Sequence, residues 1–74
     1  MEPASPEPLP LKVELRARRH SLGLTQAEVA DLAGCNVRFV TQLERGKTTV
    51  RLDKLLSVLA ALGLEVALRL RQAR

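Results

Sequence analysis

The sequence predicts a small, mainly α-helical domain of four helices followed by one β-strand. Between positions 11 and 62, apolar residues recur every three or four positions, which is the period of helices with one buried face. Glycine interrupts this pattern and then ends it, as glycine commonly does at helix C-termini. The four glycines are Gly23, Gly34, Gly46 and Gly63. Beyond Gly63 the apolar period becomes two, which is typical of a half-buried strand.

The composition excludes several classes of protein. With 74 residues, the chain forms one domain at most, and its core is small enough that oligomerisation is a common remedy. Cys35 is the only cysteine, so a cytoplasmic, reducing setting fits. No apolar run is long enough to span a bilayer, and the N-terminus lacks the apolar core of a signal peptide. Phe39 is the only aromatic residue, which argues against a base-stacking platform for single strands.

The charge distribution points to a polyanionic partner. Twelve Lys and Arg stand against eight acidic residues, and two of those acids lie in the first ten residues. This segment, 1–10, holds all four prolines and predicts a disordered tail. The basic remainder divides into a folded domain, 11–63, and a C-terminal strand with a basic tail, 64–74. Nucleic acid is the first candidate partner, and a merely soluble basic protein is the alternative.

Capping residues and apolar stripes place the helices. We expect the first over 11–22, with an apolar face formed by Leu11, Leu15 and Leu22. The second should cover 26–33, because Thr25 and Glu28 form a T-x-x-E capping box. The third should run from Val37 to about Arg45, with Asn36 as its N-cap. The fourth should run from about Leu52 to Leu62, and its apolar stripe consists of Leu52, Leu55, Leu56, Leu59 and Leu62.

The twenty residues from Gln26 to Arg45 carry a helix-turn-helix pattern. The fifth, Ala30, is small where two helices would cross closely, and the ninth, Gly34, allows a tight turn. The apolar positions that would seal this pair onto the other helices are Val29, Ala33, Cys35, Val40 and Leu43. A joint this short props the second helix outward, so that it can enter a DNA major groove.

These residues resemble a known family. The stretch "LGLTQAEVADLAG…FVTQLERGK" is similar to the Xre/Cro-type helix-turn-helix domain of phage repressors, which implies a lambda-repressor-like fold. The stretch "ERGKTTVRLDKLLSVLAALGLEVALRLR" resembles HipB-like antitoxins, which repress their own operons and pair with HipA-like toxin kinases. The chain departs from many relatives at Arg51, which stands where a Ser or Thr would cap the fourth helix. Either Thr49 caps earlier or the helix start is loose.

The resemblance implies two sets of DNA-contacting residues. Base reading is expected from the first turn of the third helix and one turn beyond, at Asn36, Val37, Arg38, Thr41 and Gln42. Arg suits the two acceptors of guanine, and Gln suits the edge of adenine. Phosphate contacts are expected from Gln26, Arg45, Lys47, Thr48 and Arg51. The alternatives are phosphate contact for Arg38, and solvated surfaces for Gln26 and the basic loop.

Other polar residues receive structural roles. In the family, an Arg of the first helix and the Glu of "LERG" form a partly buried ion pair, so the resemblance implies a pair between Arg19 and Glu44. Arg18 or His20 should then face solvent or phosphate, and Cys35 should pack as a small hydrophobe. We find no nucleophile–base set, metal cluster or phosphate-cradling loop, so the sequence predicts no enzyme, cofactor, metal or small-molecule substrate.

The predicted strand, 64–71, has no partner strand in its own chain. A second copy is the simplest partner, because antiparallel pairing across a two-fold axis satisfies the free backbone groups. The inward side chains would be Leu64, Val66, Leu68 and Leu70. HipB-like antitoxins are dimers of this kind, and a dimer would place two third helices on a palindromic operator. The alternative continues the fourth helix past Gly63.

The sequence therefore predicts a dimeric, sequence-specific DNA-binding repressor, as the antitoxin of a HipA-like kinase. Two alternatives stay open. One is a stand-alone Xre-type regulator without a toxin. The other is a protein-interaction module that inhibits a partner kinase without specific DNA binding.

Overall fold

Four helices form the fold in the computed structural model, which describes residues 10–67. They are α1 (Leu11–Ser21), α2 (Gln26–Ala33), α3 (Val37–Glu44) and α4 (Leu52–Ala61). The prediction of four helices is confirmed, and three of them end one residue earlier than expected. None of the described helices has the length and apolar character needed to cross a membrane.

The joint between α2 and α3 is built as the capping residues predict. The Thr25 hydroxyl accepts from the Glu28 amide at 3.1 Å, and the Glu28 carboxylate accepts from the Thr25 amide at 2.8 Å. Asn36 Oδ1 accepts from the Phe39 amide at 2.9 Å and caps α3. Between the helices, Gly34 adopts a left-handed conformation with φ of 74°, which a side chain would disfavour. Two residues after that glycine, the next helix is already capped.

The core lies where α2 packs against α3 and α4, and where α1 packs against α3. Its buried members are Leu15, Val29, Ala30, Val40, Leu43, Val58, Leu59 and Leu62. Ala30 lies in this contact, as expected of a small residue at a close helix crossing. No polar or charged residue in the described part of the chain is fully buried. The helices are therefore held mainly by apolar packing, with polar contacts at its edge.

The predicted apolar faces of α1 and α4 are partly wrong. Leu11 and Leu22 are exposed at the two ends of α1. In α4, Leu52 is 65% exposed and Leu56 is also exposed, whereas Val58 is almost fully buried. The buried face of this helix is centred between Leu55 and Leu62, which turns Leu52 and Leu56 to its edge. The predicted stripe of five leucines was therefore wider than the face that is actually buried.

The start of α4 has no side-chain cap, which agrees with the presence of Arg51 where many relatives have Ser or Thr. Arg51 precedes the first helical residue and provides no side-chain cap. Its guanidinium instead pairs with the Asp53 carboxylate at 2.6 Å. The helix begins at Leu52, as expected, although Thr49 makes no capping hydrogen bond to it.

The predicted C-terminal strand is not formed over 64–67. The Leu64 amide donates to the Leu59 carbonyl at 2.8 Å, and the Leu64 side chain packs against the core. Val66 is exposed. These four residues do not continue α4 either, so the helical alternative is wrong for them. The remainder of the predicted strand, with Leu68 and Leu70, lies outside the described residues.

Candidate DNA-binding surface

The residues predicted to read bases lie on the outer face of α3. Asn36, Val37 and Arg38 are exposed, and Thr41 and Gln42 are half-buried one turn further on. The opposite face of the helix carries Val40 and Leu43, both in the core. A short helix held from behind by apolar packing therefore presents five side chains to solvent in one continuous strip.

Asn36 caps α3 with one end of its side-chain amide only. Its Oδ1 is occupied by the Phe39 amide. Its Nδ2 makes no hydrogen bond to the described residues, so its two N–H donors remain available. The cap fixes the orientation of the amide group, which prepares the donor side for a base edge or a phosphate.

The Gln26 side chain is oriented by two neighbours at once. Its Nε2 donates to Glu44 Oε1 at 3.1 Å, and its Oε1 accepts from the Thr41 hydroxyl at 2.7 Å. A carboxylate only accepts, which settles which end of the amide faces Glu44. One Nε2 proton remains for a phosphate, together with the free backbone amides of the first turn of α2.

Thr41 is more constrained than the sequence suggested. Its single hydroxyl proton is directed to Gln26 Oε1, with the Val37 carbonyl as a second acceptor at 3.0 Å. Thr41 can therefore accept a hydrogen bond from a base, but donation would break the contact that holds Gln26. This residue belongs to the candidate surface chiefly as a support for Gln26.

Arg19 and Glu44 form the ion pair that the resemblance implies. Arg19 Nε lies 2.6 Å from Glu44 Oε2, Nη2 lies 2.9 Å from Oε1, and Nη1 donates to the Leu24 carbonyl at 2.9 Å. Only 12% and 7% of the two side chains are exposed. The bidentate contact joins α1 to the end of α3, and through Glu44 it reaches Gln26.

The charges of this pair reinforce each other. Burial alone would raise the pKa of Glu44, but hydrogen bonds from Arg19 and Gln26 and the charges of Arg19 and Arg16 outweigh burial. The pKa of Glu44 is consequently lowered. The hydrogen bond to Glu44 raises the pKa of Arg19 against the opposing effect of burial. Both groups therefore stay charged at neutral pH, and their geometry is fixed.

The basic loop after α3 presents most of the predicted phosphate contacts. Arg45, Lys47 and Thr48 are exposed. Lys47 Nζ lies 3.5 Å from Gln42 Oε1, so these two side chains adjoin at the edge of α3. Arg51 differs, since its exposed guanidinium is bound to Asp53 by two hydrogen bonds. Any phosphate contact by Arg51 competes with that carboxylate.

A contact between α1 and the end of α4 was not expected from the sequence. Arg18 Nε donates to the Leu62 carbonyl at 2.8 Å, so Arg18 caps the C-terminus of α4 rather than only facing solvent. Arg18 and His20 are both exposed, as expected, but the hydrogen bond of Arg18 was not predicted because its partner lies 44 positions away. A positive charge at a helix C-terminus is favourable, but no local sequence pattern indicates which helix Arg18 will cap.

The remaining candidates are packing residues. Cys35 is half-buried against the core, and burial raises the pKa of its thiol despite the nearby charge of Lys54. Phe39 also packs against the core, with Lys54 Nζ 6.0 Å from its ring centre. Among residues 10–67, no three metal-ligating side chains come together.

Comparison with known proteins decides the family. The family model described as a helix-turn-helix domain matches residues 11–72. The chain belongs to the helix-turn-helix domain family. An uncharacterized HTH-type transcriptional regulator of Sinorhizobium fredii, y4mF, is 40% identical over 52 residues, which is 70% of this chain and 68% of that protein. An uncharacterized HTH-type transcriptional regulator of Haemophilus influenzae is 36% identical over 50 residues, covering 68% of this chain and 51% of that protein.

The helix-turn-helix domain thus spans the four helices. Its relatives are named as transcriptional regulators. The second helix of the motif is α3, whose outer face carries the candidate residues. These comparisons show the helix-turn-helix family and do not distinguish the Xre/HipB-type subfamily within it.

Proposed function

We propose that this chain is a sequence-specific DNA-binding transcriptional repressor whose α3 enters the major groove. The observation that carries the proposal is the strip of outward side chains on α3. Arg38 and Gln42 lie on it, and Thr41 of the same strip helps to hold the amide of Gln26, which keeps one N–H for a phosphate. In this assignment Asn36, Val37, Arg38 and Gln42 contact base edges. Gln26, Arg45, Lys47 and Thr48 contact the backbone, and Arg51 does so after releasing Asp53.

The test is selection of preferred duplexes from random sequence, followed by affinity measurement on the selected operator and on unrelated DNA. A specific binder should prefer its operator by roughly 10³-fold or more at physiological salt. Equal affinity for both duplexes would contradict specific repression. Absence of binding to either would favour the alternative, a module that acts only on protein partners.

We further propose that the repressor is a dimer joined through residues 64–71. The exposure of Val66, and the position of Leu64 against α4, support this proposal. An isolated chain leaves Val66 open to solvent, whereas a second copy would cover it. A dimer would also give the operator its two-fold symmetry, with half-sites about one helical turn apart.

The antitoxin role rests on the resemblance to HipB-like proteins. It predicts that a HipA-like kinase is encoded beside this gene and co-purifies with the chain. A neighbouring region without a kinase-like reading frame would favour the stand-alone Xre-type regulator instead.

A further inference from the structure

A basic groove lies between α1, which precedes the helix-turn-helix motif, and the end of that motif. It has a volume of about 570 Å³ and lies between α1 and the end of α3. Its lining consists of Lys12, Val13, Arg16, Ala17, His20, Glu44 and Arg45. Lys12 and Arg16 belong to neither predicted set of DNA-contacting residues. We call this feature the α1 groove.

The arrangement of charges makes the groove attractive to anions. Lys12 and Arg16 are four positions apart, so their side chains leave the same face of α1, about 6 Å apart along its axis. Arg45 provides a third positive charge from the opposite wall. The one carboxylate, Glu44, is already bound by Arg19. Positive charge is therefore in excess, and Val13, Ala17 and His20 complete the lining.

The groove adjoins the candidate DNA surface. Lys12 crosses to the loop after α3, where a β-carbon at Gly46 would lie 3.5 Å from its Nζ. Gly46 lies between two predicted phosphate contacts, Arg45 and Lys47. Glu44 also links the groove to the candidate DNA surface, because it lines the groove and accepts a hydrogen bond from Gln26.

We propose that the α1 groove binds the phosphate backbone of the operator DNA just outside the sequence read by α3, with Lys12 and Arg16 as the contacting cations. This inference rests on the proposed function and extends its footprint. DNA is favoured over an acidic protein segment because the groove shares Arg45 with the phosphate-contacting loop. The spacing of the two cations also suits successive phosphates of one strand.

The experiment compares two duplexes that carry the same selected operator. One ends at the outer edges of the half-sites, and the other continues for about one helical turn on each side. The slope of log K against log salt is measured for the parent and for Lys12→Ala, Arg16→Ala and the double variant. Lys54→Ala is the matched control, since it removes one positive charge from α4 at a site beside Phe39.

On the long duplex, each single variant should make the slope less steep by about 1 per protomer, and the double variant by about 2. On the short duplex these variants should keep the parent slope, and Lys54→Ala should keep it on both. Lys12→Gln and Arg16→Gln, which retain most of the side chain, replace the alanine variants if alanine lowers the melting temperature.

Parent slopes for the double variant on the long duplex would overturn the inference, and an acidic protein segment would then be the better occupant. Equal losses on the two duplexes, or a loss for Lys54→Ala as large as for Lys12→Ala, would also overturn it. Those results would mean contact within the half-site or a general effect of charge. Failure of the proposed function itself is distinguishable, because the parent would then show no preference for the operator.

Discussion

At the scale of single residues, Glu44 connects the stability of the domain to its candidate DNA surface. Its carboxylate accepts from Arg19 on one side and from Gln26 on the other. An ion pair this little exposed is costly to break from one side, because the remaining charge keeps its desolvation penalty and loses its partner. Glu44 therefore supports both α1–α3 packing and the orientation of Gln26.

Replacing Glu44 by Gln should lower the free energy of unfolding by about 3 kcal/mol at neutral pH, because Arg19 would be left without a matching charge. Asp31→Asn is the matched control, since it makes the same chemical change on the exposed face of α2. It should shift stability by less than about 0.5 kcal/mol. Denaturant unfolding at one protein concentration provides the comparison. Equal losses in the two variants would show that the ion pair adds nothing to stability.

The same pair makes a prediction for pH. The pKa of Glu44 is lower in the folded chain than in the unfolded chain, so its contribution is complete above the unfolded value. That contribution is lost as the pH falls from about 5 through the depressed pKa. The stability difference between the parent and Glu44→Gln should therefore shrink with acid. A difference that stays constant down to the acid limit of folding would contradict the assigned charge state.

At the scale of elements, the end of α4 depends on a residue of α1. Leu62 is the C-cap of the helix, and its carbonyl accepts a hydrogen bond from the Arg18 guanidinium. Gly63 follows with φ of 72°, and a β-carbon there would lie 3.1 Å from Arg18 Nη2. Glycine is thus favoured at position 63 for two reasons: the backbone is left-handed, and the Arg18 side chain lies close to the α-carbon.

Gly63→Ala should destabilise the domain more than Gly23→Ala. Both glycines have nearly the same positive φ, so each variant bears roughly 1–2 kcal/mol of backbone strain. Only the alanine at position 63 also crowds Arg18 Nη2, so Arg18 must shift, and weakening of its hydrogen bond to Leu62 adds up to about 1 kcal/mol. In an Arg18→Ala background the two variants should become equal when measured by thermal unfolding. A difference that persists without Arg18 would assign the extra cost to another contact.

The helices could be predicted from the sequence because their signals are local. The Thr25–Glu28 capping box, the Asn36 cap and Gly34 each act within a few residues, and each formed as expected. The contacts of Arg18 and Thr41 could not be predicted, because they depend on which helices meet. The exposed leucines of α4 were misassigned for a related reason, since periodicity gives the width of an apolar face only roughly.

At the scale of the whole molecule, the sequence predicts a dimer, and 64–67 alone contains neither strand nor helix. The alternating pattern of a strand can be recognised in the sequence. A strand that pairs only with a second copy of itself, however, forms only when the two chains assemble. Val66, 55% exposed, and Leu64, packed on the core, are the two predicted interface residues that the structure describes.

Val66→Asp should convert the proposed dimer into a monomer with little loss of helix, because Val66 is exposed in the single chain. Leu32→Asp is the matched control, since Leu32 is another exposed apolar residue, on α2. Mass measured by light scattering across a range of concentrations tests both. Dissociation by Leu32→Asp, with a dimer retained in Val66→Asp, would place the interface on α2 and contradict the proposed strand.

The central claim is that the outer face of α3 reads DNA sequence, and Arg38→Ala tests it most directly. Affinity for the selected operator and for random DNA should be measured side by side, with Lys54→Ala as a control for lost charge. We predict a loss of about 1–3 kcal/mol on the operator for Arg38→Ala, relaxed preference at one base pair, and a much smaller loss on random DNA. Equal losses on both duplexes would make Arg38 a phosphate contact and contradict the claim.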